Sequence, residues 1–195
     1  MNMKKYVLIL MASFFVSNGY ARLTESMSIG FSGGYSCSST FRGELFLKSD
    51  LQLFNRNSEV RFGISNHSYQ LTFDNVSGLN TSSIGLFGDI AIFPFNKGLF
   101  VGARWEAINF NWFSEESRNR MRRELGYELI FFTGTSTFLQ VGYHLQISNN
   151  FGIRLYGQPG IQHFRINLPV GGRLITEEQL RFIYNVNLGF TIRIR

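Results

Sequence analysis

From Leu180 to Arg195 the chain alternates without a break. Leu180, Phe182, Tyr184, Val186, Leu188, Phe190, Ile192 and Ile194 share one parity. Arg181, Ile183, Asn185, Asn187, Gly189, Thr191, Arg193 and Arg195 share the other. Successive side chains of a strand point to opposite faces, so one face is unbroken hydrocarbon and the other mostly polar or small. A membrane-spanning strand needs ~9–11 tilted residues. A run of this length, with aromatics towards both ends, predicts a strand whose outer face meets lipid.

The same period recurs along the chain. Met27, Ile29, Phe31 and Tyr35 alternate with Ser28, Gly30, Ser32 and Gly34. Leu45, Leu47, Leu51 and Leu53 alternate with Glu44, Phe46, Lys48, Asp50 and Gln52. A third strand carries Val60, Phe62 and Ile64; beyond it His67, Tyr69, Leu71 and Phe73 fall on the opposite parity, which predicts either a bulge near Ser65-Asn66 or exit from the membrane. Further strands run through Ile84–Ile92, Leu99–Ala107 (extending towards Trp112), Leu139–Ile147 (starting as early as Tyr127) and Phe151–Ile161, where Pro159-Gly160 predicts a bulge. Between them, 55–58, 94–98 and 148–150 read as tight turns; 36–40, 74–83, 113–126 (or to 136) and 168–178 read as mostly longer polar loops, and a turn at Gly134-Thr135-Ser136, which would divide the sixth strand and make the count odd, is disfavoured. Within the third loop, Ser114 as N-cap, Glu115 and Glu116 in the first turn, later arginines and Gly126 after the end predict a short helix. Three turns and four loops make an all-β, eight-stranded antiparallel up-and-down transmembrane β-barrel, with short periplasmic turns, longer outer loops and both termini inside.

The N-terminus changes the compartment. Lys4 and Lys5, an apolar core from Tyr6 to Val16 and Gly19-Tyr20-Ala21 form a secretory signal peptide over residues 1–21, leaving 22–195 as one barrel domain. Cys37 is the only cysteine, which excludes an intramolecular disulfide. The chain has 21 Phe and 20 Gly against 3 Pro, a composition suited to aromatic belts and a small-residue lumen. The formal charge of +6 is spread through strands and one loop of an exported chain. Nucleic acid is therefore no partner, and anionic lipid headgroups are the natural counter-charge.

These features resemble the small eight-stranded outer-membrane barrels, the group that includes OmpX and the OmpA membrane domain. The resemblance covers the mature chain and rests on the signal peptide, alternating strands, three turns, four loops and the C-terminal strand. That last strand is similar to the signal read by the barrel-assembly machinery, although it ends in Arg195 instead of an aromatic, with Phe190 the nearest one. The resemblance implies a Gram-negative outer-membrane, non-enzymatic role in envelope integrity, adhesion or surface interaction through outer loops, with an unidentified surface protein as a further partner.

Parity places Glu44, Lys48, Asp50, Arg61, Asp89, Arg104, Glu106, Arg154 and Arg193 on the inner face. An eight-stranded barrel is just wide enough for side chains to fill it, so these charges are expected to pair and plug the lumen. A narrow channel lined by them is the alternative. Arg118, Arg120, Arg122 and Arg123 are expected to meet lipopolysaccharide phosphates, for which guanidinium groups are suited. Trp105, Trp112, Tyr35, Phe110 and Tyr184 suit the membrane interfaces. His67 and His163 are expected at the outer rim and His144 near the periplasmic end. A lipid-A-modifying acyltransferase or deacylase would use such a rim histidine, but His67 and Ser68 are neighbours that point to opposite faces. A soluble lipocalin-like barrel would need polar outer faces, contrary to the C-terminal strand. No cofactor, metal-ligand spacing or paired catalytic carboxylates are expected.

Overall fold

The computed structural model describes residues 21–37, 39–73, 76–95, 98–124, 126, 131–170 and 173–194. The signal-peptide expectation for residues 1–21 falls outside them except for Ala21, the first residue of β1. Eight strands follow: β1 (Ala21–Ser36), β2 (Ser39–Leu53), β3 (Arg56–Phe73), β4 (Val76–Ile92), β5 (Gly98–Phe113), β6 (Phe131–Gln146), β7 (Phe151–Val170) and β8 (Arg173–Ile194). Helix α1 (Glu115–Glu124) lies between β5 and β6. Each strand pairs antiparallel with the next, and β1 closes on β8, with Phe31 opposite Phe190 and Ser28 opposite Arg193.

The alternation decides which side faces lipid. Met27, Ile29, Phe31, Leu45, Leu47, Phe62, Leu86, Val101, Leu155, Leu188 and Ile192 are exposed on the outer surface, while the intervening Ser28, Ser32, Glu44, Phe46, Arg61, Phe87, Arg104 and Arg154 are buried. The core of this protein is thus polar and charged. Its hydrocarbon is outside, the inverse of a soluble barrel, and that band has a low free energy only in lipid.

Strands of 15 (β2) to 22 (β8) residues exceed what a bilayer needs, so they continue beyond it. This corrects several expected boundaries. Most of 74–83 belongs to β4, and most of 168–178 to β7 and β8. The β2–β3 turn is Phe54-Asn55, both at positive φ (51° and 60°), the two-residue geometry that matches strand twist. The described part of β6 runs from Phe131, the earliest expected start at Tyr127 lying outside the described residues, and Gly134-Thr135-Ser136 pairs continuously with β5 and β7 as strand. There is no bulge at Ser65-Asn66: β3 stays in register with β2 from Arg56 to Ser68 and with β4 from Ser58 to Leu71. Nor does Pro159 shift the register; pairing to β6 skips the positions around it and resumes in step. A bulge occurs instead on β5, where Ile84 pairs with Phe110 and the next residue, Gly85, with Ile108. The extra residue, Asn109, reverses the parity, which lets both Trp105 and Trp112 face outward.

Candidate functional site: the barrel interior and its two ends

Arg42, Arg61 and Arg104 and the acids Glu44, Asp89 and Glu106 meet in the middle and outer part of the lumen. They come from β2, β3, β4 and β5, and all six are buried. Arg42 Nε lies 3.0 Å from Glu44 Oε1 and a terminal nitrogen lies 3.0 Å from Glu106 Oε2. Arg104 reaches Glu44 at 2.8 Å. Arg61 Nε donates to Asp89 at 2.8 Å, and another of its nitrogens donates to Gln140 at 3.1 Å. Glu44 also accepts from Ser32 (2.7 Å) and the Tyr156 hydroxyl (3.0 Å). Three cations against three anions keep the cluster neutral, and the shared hydrogen bonds offset part of the cost of burying each ion.

Aromatic rings fill what remains. The Arg104 guanidinium stands 3.6 Å from the Phe87 ring centre, and that of Arg61 stands 5.0 Å from Phe46. Phe46 crosses towards β1 and β3, where a Cβ at Gly30 would strike its ring and one at Gly63 would lie 2.7 Å from its Cβ. Those two glycines are there for space. The result is a plug of guanidinium groups, carboxylates and rings, not a lined path.

Lys48, Asp50, Arg154 and Arg193 gather nearer the end that carries the short turns. Lys48 Nζ is 2.8 Å from Asp50 and 3.7 Å from Glu59. Arg154 pairs with Glu59 and stacks 3.5 Å over Phe100. Arg193 is 3.7 Å from Asp50 at the mouth. Parity gathers these charges into one inward-facing set; the structure divides that set into a neutral plug and a more open group below it.

Arg42, Glu59 and His67 belong to the interior but escape the sequence reading. Arg42 and Glu59 lie beside segments read as loop and turn. His67 was expected at the rim; it is buried, inward-facing, and 2.6 Å from Glu106 Oε1. Ser65 Oγ lies 3.1 Å from the same His67 nitrogen, Nε2, and itself donates to Glu106. Serine, histidine and acid are thus neighbours, yet one ring nitrogen faces both partners. A proton relay needs the acid on the opposite nitrogen from the serine. Ser68 turns away from His67, and neither Ser65 nor His67 is open to an acyl chain. His144 lies at the short-turn end and His163 on the outer hairpin, 3.3 Å from Glu178.

The opposite end carries α1. Ser114 caps it, accepting from the Ser117 N–H at 3.2 Å, and Gly126 follows at φ 77°. Ser117 and Met121 form its buried face, and Ser117 Oγ accepts from the Asn80 N–H at 2.8 Å, docking the helix on β4. Arg118, Arg122 and Arg123 are exposed and Arg120 half-buried; Arg120 pairs with Glu124 at 2.8 Å. On the β7–β8 hairpin beyond the apolar band, Arg165 hydrogen-bonds Glu178 at 2.8 Å and holds its carboxyl below the ordinary value. Tyr35, Trp105, Trp112 and Tyr184 are exposed outward; the side chain of Phe110 lies outside the described residues. Among the described residues, no cluster of His, Cys, Asp and Glu is arranged to hold a metal.

A closed antiparallel barrel with a hydrocarbon exterior and a charged, filled interior defines a small transmembrane β-barrel of the outer-membrane class. The fold is similar to that of the outer membrane protein AlkL in lipid bilayers, at 10% identity over 87% of this chain and 90% of that one, with a TM-score of 0.54. OprG from Pseudomonas aeruginosa (11% identity, 87% and 95% covered, TM-score 0.49) and Ail of Yersinia pestis (12%, 87% and 97%, TM-score 0.40) are more distantly similar. No protein-family model matches the sequence, and no curated protein matches it.

Proposed function

We propose that residues 22–195, freed of a signal peptide at 1–21, form a non-catalytic outer-membrane barrel that acts through its outer surface in envelope integrity, adhesion or surface interaction. The neutral plug is the observation that carries this reading. With the lumen occupied by paired ions and no relay at Ser65, His67 and Glu106, function falls to what projects from the membrane. Outer-membrane lipid surrounds the barrel, and insertion depends on the barrel-assembly machinery reading β8.

Helix α1 supplies the clearest contact. Its arginines stand on a helix docked to the rim, in position for lipopolysaccharide phosphates, which accept paired guanidinium hydrogen bonds. Replacing Arg118, Arg120, Arg122 and Arg123 together with Gln should leave the barrel folded and raise the detergent sensitivity of cells. Lipid A from the same cells should have an unchanged mass spectrum whether the gene is absent, wild type or substituted. Unaltered detergent survival counts against the phosphate contact, and a gained or lost acyl chain establishes the enzyme reading instead.

A further inference from the structure

Beneath the plug the barrel opens into a cavity of about 870 Å³ at the short-turn end. Its walls differ in chemistry. On β1, β2 and β8 they are Ser28, Lys48, Asp50, Leu51, Thr191 and Arg193; on the facing side they include Phe93 and His144, whose rings lie 6.1 Å apart. Its inner end is closed, because Arg154, Tyr156 and Phe100 behind it are buried and in ring contact. The chamber therefore has one entrance, from the periplasm.

Register sets the cations side by side. Ser28 of β1 pairs with Lys48 on β2 and with Arg193 on β8, so the three residues form one inward-facing row across adjacent strands. Neighbouring strands lie ~4.8 Å apart, which puts both long basic side chains within reach of one bound group above Ser28. Their donors are not exhausted. Lys48 has three N–H groups and gives one to Asp50 at 2.8 Å; Glu59, at 3.7 Å, is beyond hydrogen-bond length. Arg193 meets Asp50 only at 3.7 Å. The acids are already engaged, Asp50 by Lys48 and Glu59 by Arg154. Lys48 and Arg193 match Asp50 and Glu59 in number along the walls, but Arg154, behind the closed end, neutralises Glu59, which leaves two cations facing the one remaining acid, so the chamber favours an anion.

We propose that this vestibule is a binding site for a small organic anion, with its carboxylate at Lys48 and Arg193 and a flat apolar body against Phe93. Such pockets combine apolar walls with a few convergent polar groups and enclose several hundred Å³. The site is independent of the outer loops and needs no passage through the plug.

Benzoate is the probe, titrated calorimetrically into the full chain refolded in non-ionic detergent, with benzyl alcohol as an uncharged ligand of similar shape. Benzoate should bind saturably and benzyl alcohol should not. Arg193→Gln, at the half-exposed mouth, should weaken benzoate by about tenfold or more, the loss of one charge-assisted hydrogen bond. Lys48→Gln should do the same; if it fails to fold, Arg193→Gln alone decides. No saturable benzoate binding, equal binding of benzyl alcohol, or benzoate binding unaffected by Arg193→Gln would overturn the proposal.

Discussion

Replacing Asp89 with Asn should destabilise the barrel by about 3–5 kcal/mol, the cost of leaving a buried ion without its partner. Asp89 is the carboxylate on Arg61 Nε at 2.8 Å, with both side chains out of reach of solvent. The remaining neighbours do not replace it. Gln140 already accepts from Arg61 and bears no charge, and Arg104, 3.9 Å from Asp89, adds to the positive field. The sign of the effect depends on the pair, not on polarity as such. Converting both members, Arg61→Met with Asp89→Leu, removes two desolvated charges together and should recover most of the loss. Urea unfolding in micelles, followed by the difference in migration between folded and unfolded chain, reads both variants. Equal destabilisation by the single and double replacements would mean that shape, not charge pairing, holds the plug.

The second large effect is on the opposite face. Leu188 lies in the middle of the β8 apolar run and is exposed outward. Leu188→Arg should cost about 2–4 kcal/mol, because a guanidinium near the midplane cannot keep its hydration. Leu188→Phe, which stays apolar, should have little effect. An arginine tolerated at Leu188 as easily as in water would contradict the lipid-facing assignment of this strand face, since a soluble barrel gains from a charge there.

These two residues also show why some of the molecule was legible in its sequence. Within the membrane the two faces of a strand meet opposite solvents, so parity alone distinguishes Leu188 from Asp89 and puts Glu44, Arg61, Arg104, Glu106 and Arg154 inward. Beyond the membrane that contrast disappears. In the outer halves of β4 and β7, Leu79, Phe164 and Ile166 are buried inward while Asn80 and Arg165 are exposed outward, so the lipid-facing pattern stops and 74–83 and 168–178 read as loops although the described residues of both stretches remain paired. His67 was misplaced for the same reason. Its apparent change of parity marks the end of the apolar band while β3 runs on in register. The bulge at Asn109 gave no local signal except Trp105 and Trp112 standing on opposite parities. The N-cap of α1 was readable because Ser114 sits just before two acids, a local pattern that needs no partner strand.

The plug joins these observations to function. Its arginines are held by carboxylates on other strands and by rings above and below, so opening a path would require breaking several buried pairs at once. That couples the filled interior to a role played outside the lumen, and leaves the periplasmic vestibule as a chamber with a closed end.

Planar-bilayer recording of the refolded wild-type chain tests this most directly. A barrel closed by the Arg42, Glu44, Arg61, Asp89, Arg104 and Glu106 cluster should insert without producing unitary current steps. Stable, reproducible unitary conductance from the heat-modifiable folded protein would contradict the plug and restore the narrow-channel reading.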